Sequence, residues 1–149
     1  MAGVDAGIKC SEDVIEHCKS FAKGANMKYR STSWIIFKIQ KIGRTTKVIV
    51  VRAGPPLATF EEMKAKIIPD SARYILIYTP YEMDGQEKEK VTLITYTGPK
   101  CSLNDKMSYQ STESGLYAKL GRHSGACKLR LTSYDSLELE KIKDAVQRK

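Results

Sequence analysis

Two groups of side chains in this 149-residue sequence have residue types that could do chemistry. Cys10, His17 and Cys18 lie close together and are of the types that bind zinc. A structural zinc site needs four ligands and no fourth is evident, so we interpret Cys18 as a core residue and His17 as a surface residue. The second group is a run of carboxylates from Glu82 to Glu89. These alternate with lysines, which is more typical of a solvated strand extension than of an acid/base pair.

Motifs that accompany catalysis or nucleotide binding are missing from the sequence. It has no Gly-x-Gly-x-x-Gly or Walker loop and no Gly-x-Ser-x-Gly elbow. The second histidine, His123, lies in the sequence Arg-His-Ser-Gly-Ala, where we expect a surface loop. We therefore predict no catalytic residues, no metal site and no cofactor.

The charge balance points to an acidic partner. The formal net charge is +8, from 25 basic and 17 acidic residues. Nucleic acid, anionic lipid and an acidic protein surface would each attract a protein with this charge. Basic and aromatic residues interleave only at Lys28-Tyr29-Arg30, and no RNA-binding strand motif or Gly-x-x-Gly loop is present. A basic nucleic-acid-binding module is therefore the weaker alternative, and we do not expect nucleic acid as a partner.

Composition is that of one globular domain, which we expect to span residues 1–149 as a monomer. No apolar run reaches the 18 residues or so that a membrane span needs. The beginning of the sequence has no basic region followed by an apolar run, so we expect no secretory signal. Without such a signal the four cysteines are expected to be reduced thiols, in the cytoplasm.

Hydrophobic periodicity predicts helices, hairpins and one further strand, after a flexible segment at residues 1–10. Ser11 and Thr59 are expected to cap the first two helices, which end at Gly24 and Pro69. A long charged connection, with a turn at Asp84-Gly85, is expected to join the strands of the second hairpin. The predicted strands and the last helix are Trp34–Ile39, Lys47–Val51, Arg73–Tyr78, Val91–Thr97, Lys128–Thr132 and Ser136–Gln147.

The central predicted strands are apolar almost throughout, which is typical of strands covered on both faces. Helices must then lie on both sides of the sheet. The sequence therefore predicts an α/β fold in which a central five-stranded mixed sheet is sandwiched between helices.

The stretch Ser102–Gly121 predicts the longest helix. Ser102 can cap its start, and Gly121 can end it in the left-handed conformation. Leu103, Met107, Leu116 and Leu120 are expected to supply apolar contacts, with Lys106 exposed at the polar first turns.

This long-helix segment resembles the signature of the actin-depolymerising factor/cofilin family. Lys106, Met107, Tyr109 and Ser111 match its Lys-Met-x-Tyr-x-Ser run. The sequences ARYILIYTPYEMDG and SYDSLELEKI resemble the family's third strand and closing helix, and residues 7–13 resemble its N-terminal segment. The similarity spans nearly the whole chain.

The resemblance implies an ADF-homology, gelsolin-like fold and a non-catalytic protein that binds actin monomers and filaments. It implies that the protein promotes filament depolymerisation and severing. The implied location is the cytoplasm, in association with the cytoskeleton, with the nucleus as a further location. Phosphoinositides are implied as ligands of Lys100 and Lys106. The implied actin-binding residues are Gly7, Ile8, Lys88, Lys90, Asn104, Lys106, Met107, Gln110, Glu140, Lys141 and Lys143.

Two departures from the family pattern affect what is expected. The family's phosphorylatable serine is replaced by Ala6, so we expect no N-terminal phosphorylation switch. Asn104 and Asp105 stand where the family has a more basic turn. The alternative within the resemblance is therefore a coactosin-like filament-side binder, or an Arp2/3-binding relative, that does not sever.

Overall fold

A computed structural model describes residues 8–27, 30–121 and 125–148 and contains, in those ranges, one mixed six-stranded sheet. The strand order is β1-β3-β2-β4-β5-β6. The outer pairs β1–β3 and β5–β6 are parallel, and the other neighbours are antiparallel. The strands are β1 Lys9–Cys10, β2 Trp34–Ile42, β3 Thr45–Ala53, β4 Ala72–Met83, β5 Gln86–Thr97 and β6 Cys127–Leu131.

Four α-helices accompany the sheet in the described ranges: α1 Glu12–Lys23, α2 Phe60–Lys64, α3 Leu103–Ala118 and α4 Leu139–Gln147. The predicted caps are confirmed. Ser11 Oγ accepts from Val14 N at 3.3 Å, and Ser102 Oγ accepts from Asp105 N at 3.0 Å. Thr59 likewise caps α2 through its side-chain oxygen. No helix in the described part of the chain is long and apolar enough to cross a bilayer.

Two hydrophobic cores lie on opposite faces of the sheet, which confirms the predicted sandwich. Alternate residues of β4 point to opposite sides: Leu76 joins the core beneath α1 and α3, whereas Ile75 joins the core beneath α2 and α4. The nearly continuous apolar sequence of β4 follows from this double burial.

The sheet has one strand more than the five predicted, and the predicted flexible segment 1–10 is wrong at its last two residues. Lys9 and Cys10 form the short strand β1, which pairs in parallel with Lys47 and Val48 of β3. Ser11 N continues the pairing by donating to Val48 O at 3.0 Å. The chain is therefore fixed to the sheet edge before α1 begins; residues 1–7 lie outside the described ranges.

The charged connection predicted at residues 80–90 is instead a regular two-stranded extension. β4 continues to Met83 and β5 begins at Gln86, so only Asp84 and Gly85 form the turn. Their φ values are +53° and +78°, as in the tight turns that match strand twist. We call residues 79–90 the arm.

Three predicted helix boundaries also differ. α2 ends at Lys64 rather than at Pro69, and α3 ends at Ala118. Gly121 does have the predicted left-handed conformation, with φ +86°, but it follows a further turn. The last helix starts at Leu139 because the preceding residues form a separate 3-10 turn, capped by Ser133.

Candidate functional site

The start of α3 presents an apolar surface to solvent. Leu103 is 72% exposed and Met107 is 62% exposed. They are four residues apart and therefore share one face of the helix, with Gln110 exposed one turn further on. Of the four residues expected to supply apolar contacts, Leu116 and Leu120 are buried in the core, whereas Leu103 and Met107 are exposed. We call the exposed surface formed by Leu103, Asn104, Asp105, Met107 and Gln110, together with the neighbouring Lys106, the α3 head.

Tyr109 fixes the helix against two strands. Its hydroxyl accepts a hydrogen bond from Ile39 N at 2.9 Å, and its carbonyl accepts one from Tyr74 Oη at 2.7 Å. Ile39 N is available because the pairing of β2 with β4 ends at Phe37. Burial raises the pKa of the Tyr109 hydroxyl.

A buried carboxylate fixes the middle of α3 to the sheet. Glu113 is 4% exposed, and its Oε1 accepts from Thr95 Oγ1 at 2.7 Å and from Arg130 Nε at 3.2 Å. These bonds tie α3 to β5 and β6. Sequence reasoning missed this contact, because an acidic residue within a polar helix segment is usually solvated. With the inward face fixed in this way, the outward face of the α3 head is left free.

The charges at the α3 head are mixed. Lys106 is half-buried rather than fully exposed, and its ammonium donates to Pro99 O at 3.4 Å. Lys100, Asn104 and Asp105 are exposed. The head therefore combines apolar side chains with one lysine and one carboxylate, and Lys100 precedes it in the chain.

A second group of the predicted residues lies at the arm and α4. Lys88 and Lys90 are half-buried on one face of β5, and Lys90 Nζ lies 4.8 Å from the centroid of the Tyr81 ring. On α4, Lys143 pairs with Glu140 at 3.8 Å, and Lys141 pairs with Glu138 at 3.8 Å. Such exposed helix pairs contribute little to stability.

The structure thus divides the predicted residues into two patches at opposite ends of the β4–β5 pair. Thr97, at the end of β5, leads to the α3 head, whereas the arm ends at the Asp84-Gly85 turn. A strand of 12 residues spans roughly 40 Å, which sets the scale of this separation. Ile8 is not exposed in either patch. It is half-buried and packs against the core beneath α1 and α3. Gly7 lies outside the described residues.

Cys18 is buried in the core, as expected, and burial raises its pKa to about 12. His17 is half-buried, and its Nδ1 lies 2.7 Å from Asp13 O. Residues 8–27, 30–121 and 125–148 contain no group of three potential ligands suited to a metal ion. The predictions for Lys28-Tyr29 and His123 fall outside the described ranges.

Comparison with known proteins identifies the class. The chain belongs to the cofilin/tropomyosin-type actin-binding protein family, whose model matches residues 7–147. This is a family of non-enzymatic, actin-binding proteins of the cytoskeleton.

Individual relatives agree with this assignment. Actophorin of Acanthamoeba castellanii is 27% identical over 115 residues, covering 77% of this chain and 78% of its own. The crystal structure of Streptomyces griseoflavus cofilin superposes with a TM-score of 0.78 at 19% identity, covering 95% of this chain and 98% of its own. Human coactosin-like protein superposes with a TM-score of 0.74 at 13% identity, covering 95% and 99%.

Proposed function

We propose that this protein binds actin monomers and filaments and promotes filament depolymerisation, severing and turnover. The observation that carries the proposal is the exposed apolar pair Leu103 and Met107 at the α3 head, beside Lys106. Large apolar side chains are rarely left exposed together without a partner, and buried apolar anchors supply most of the energy of protein interfaces.

The two patches suggest how monomer and filament would be bound. The α3 head, with Gly7 and Ile8 alongside it, would dock in an apolar cleft of one actin subunit. The arm and the exposed face of α4 would contact the next subunit of a filament, through Lys88, Lys90, Glu140, Lys141 and Lys143. A monomer would then need the α3 head alone, whereas a filament would need both patches.

The charge of the protein, its oligomeric state and its location belong to the same proposal. A net charge of +8 favours encounter with an acidic partner. We propose that residues 1–149 act as one domain and as a monomer, in the cytoplasm and also in the nucleus. Phosphoinositide headgroups would compete with actin for Lys100 and Lys106.

A second candidate function rests on the exposed carboxylate of Asp105. Together with the neutral Asn104, it makes the α3 head less basic than the family pattern implies. This favours a filament-side or Arp2/3-binding protein that does not sever.

Sedimentation with filaments, combined with microscopy of labelled filaments, tests the first proposal. We expect the protein to pellet with filaments, to raise the actin in the supernatant and to cut filaments. Pelleting without cutting would favour the second candidate. If there is no effect on actin in either assay, the α3 head has another role.

Met107→Ala and Lys106→Ala test the α3 head directly. Loss of a central interface side chain costs about 1 kcal/mol or more, so we expect each variant to bind actin at least fivefold more weakly. The free energy of unfolding should change by only about 0.5 kcal/mol for Met107→Ala, because the side chain is exposed. Leu57→Ala is the control: Leu57 is 96% exposed but lies on the connector between β3 and α2, so actin affinity should not change.

A further inference from the structure

The arm extends beyond the rest of the sheet as a two-stranded ribbon. β2 pairs with β4 only between Tyr74 and Ile77, and β6 pairs with β5 only between Thr92 and Tyr96. Past those positions β4 and β5 have only each other as strand neighbours in the described residues. A ribbon of two strands is only marginally stable in water, so the arm needs further support to hold one position.

One support comes from the loop that follows α1 and acts on β5. Asn26 and Glu89 exchange two hydrogen bonds: Asn26 N donates to Glu89 Oε1 at 3.1 Å, and Glu89 N donates to Asn26 Oδ1 at 2.8 Å. Arg30 adds a two-point ion pair, with Nη2 donating to Glu89 Oε2 at 3.0 Å and Nη1 donating to Oε1. Such fork-to-fork pairs fix direction as well as distance.

Arg30 is itself held rigidly. Its guanidinium carbon lies 3.8 Å from the centroid of the Tyr78 ring, and Nη1 lies 3.4 Å from Gly24 O. Tyr78 in turn stacks on Phe21 of α1, with ring centroids 3.9 Å apart, and donates to Phe21 O. The support is therefore continuous from α1 to Glu89.

The second support comes from α4 and acts on β4. The side-chain amide of Gln147 accepts from Glu82 N at 2.8 Å and donates to Glu82 O at 2.9 Å. Gln147 thus satisfies both backbone groups of Glu82. The two supports act on different strands of the arm: one comes from the loop after α1 and the other from α4.

Glu89 is flanked in sequence by Lys88 and Lys90, the two arm lysines of the proposed filament contact. We infer that Asn26, Arg30 and Gln147 are positioning residues that hold the arm for a filament and thereby set the preference for filament over monomer. This inference rests on the proposed function. None of the three residues needs to touch actin.

The test compares Arg30→Met and Gln147→Ala with the parent in two binding assays and one exchange assay. We expect filament affinity in sedimentation to fall at least tenfold, and monomer affinity, measured with fluorescent actin monomers, to stay within twofold. Amide hydrogen exchange should become faster at residues 86–90 in Arg30→Met and at Glu82 in Gln147→Ala, and should stay unchanged in α3. Arg52→Met, an exposed β3 residue that also loses one positive charge, is the matched control and should leave both affinities unchanged.

The outcomes separate the inference from the proposal beneath it. If both affinities stay unchanged, or fall in parallel, in Arg30→Met and Gln147→Ala, the positioning role is wrong. Gln147 is exposed, so its variant is informative even if Arg30→Met folds poorly. The variant Lys88→Ala/Lys90→Ala tests the filament contact itself. If its filament affinity equals that of the parent, the arm does not touch the filament and the proposed function loses its second contact.

Discussion

At the scale of single residues, buried polar groups act together with apolar contacts to fix α3 on the sheet. Tyr109 is 4% exposed, and its hydroxyl is the partner of a backbone N–H that the sheet leaves unpaired. A buried N–H without a partner is costly, so this hydrogen bond fixes the position of the helix as well as its stability.

Tyr109→Phe should therefore lower the free energy of unfolding, although it removes a single oxygen atom. The Ile39 N–H would be left without its partner, which costs about 1–3 kcal/mol. Urea unfolding measures this change. Tyr81→Phe is the control, because the Tyr81 hydroxyl contacts a weak acceptor, Met83 Sδ, at 4.0 Å, and the free energy of unfolding of this variant should hardly change. Equal effects in the two variants would contradict the role assigned to the Tyr109 hydroxyl.

Glu89 gives a second prediction at this scale. Burial alone would raise the pKa of Glu89, but hydrogen bonds from Arg30 and Asn26 outweigh burial and hold the pKa below its usual range. The folded state therefore binds this proton more weakly than the unfolded state. The support it gives the arm is complete above the unfolded pKa and is lost as the pH falls through the folded pKa. Carbon-detected NMR titration should place the Glu89 pKa below that of exposed glutamates, and Arg30→Met should raise it; an unshifted pKa in both forms would count against the ion pair.

At the scale of elements, the sequence predicted what local signals determine. The caps at Ser11, Thr59 and Ser102 were predicted because their side chains act within three residues. The sandwich was predicted because double burial makes a strand apolar throughout. Of the candidate site, the exposed Met107 was identified through the family motif, whereas the division into two patches was not.

The missed elements lack such signals. β1 has only two residues and gains its partner Val48 from a distant part of the chain. The length of the arm strands was missed, although the alternating charges indicated a strand extension, because these strands lie outside the core, where no hydrophobic alternation is required. The contact between Glu113 and Arg130 joins α3 to a strand 14 residues or more away in sequence, so periodicity could not reveal it.

Arg130→Met tests how firmly that contact holds α3 on the sheet. The variant leaves a carboxylate that is 6% exposed without its cation, although Thr95 still donates to it. The Arg130 side chain is 54% exposed, so solvent partly screens the ion pair. We therefore expect the free energy of unfolding to fall by about 1–2 kcal/mol, which is less than the cost of breaking a fully buried pair. Thermal and urea unfolding measure it, with Arg52→Met as the control. A loss equal to that of the control would mean that Thr95 alone satisfies the carboxylate.

At the scale of the whole molecule, the net charge of +8 is carried mostly outside the two patches. The arm has four carboxylates and two half-buried lysines, and the α3 head has the exposed Asp105 next to the half-buried Lys106. Asp105 lies in the first turn of α3, where the helix dipole favours a carboxylate by about 0.3–1 kcal/mol. The same carboxylate opposes an acidic partner. Helix stability and actin affinity therefore make opposite demands on this turn.

Asn104→Lys and Asp105→Ser should shift that balance toward actin. Each makes the α3 head more positive by one charge, so each should strengthen binding to filaments at low salt. The gain should fade as ionic strength rises, because the Debye length shortens from about 10 Å at 0.1 M to about 3 Å at 1 M. Asp105→Ser should also lower the free energy of unfolding by about 0.3–1 kcal/mol, since it removes the favourable dipole interaction, and Asn104→Lys places a cation in the same turn, which the dipole disfavours. Filament sedimentation across a salt series, with unfolding measured in parallel, separates the two effects. If neither variant pellets better than the parent at low salt, the first turn of α3 does not face actin, and the docking of the α3 head proposed above is wrong.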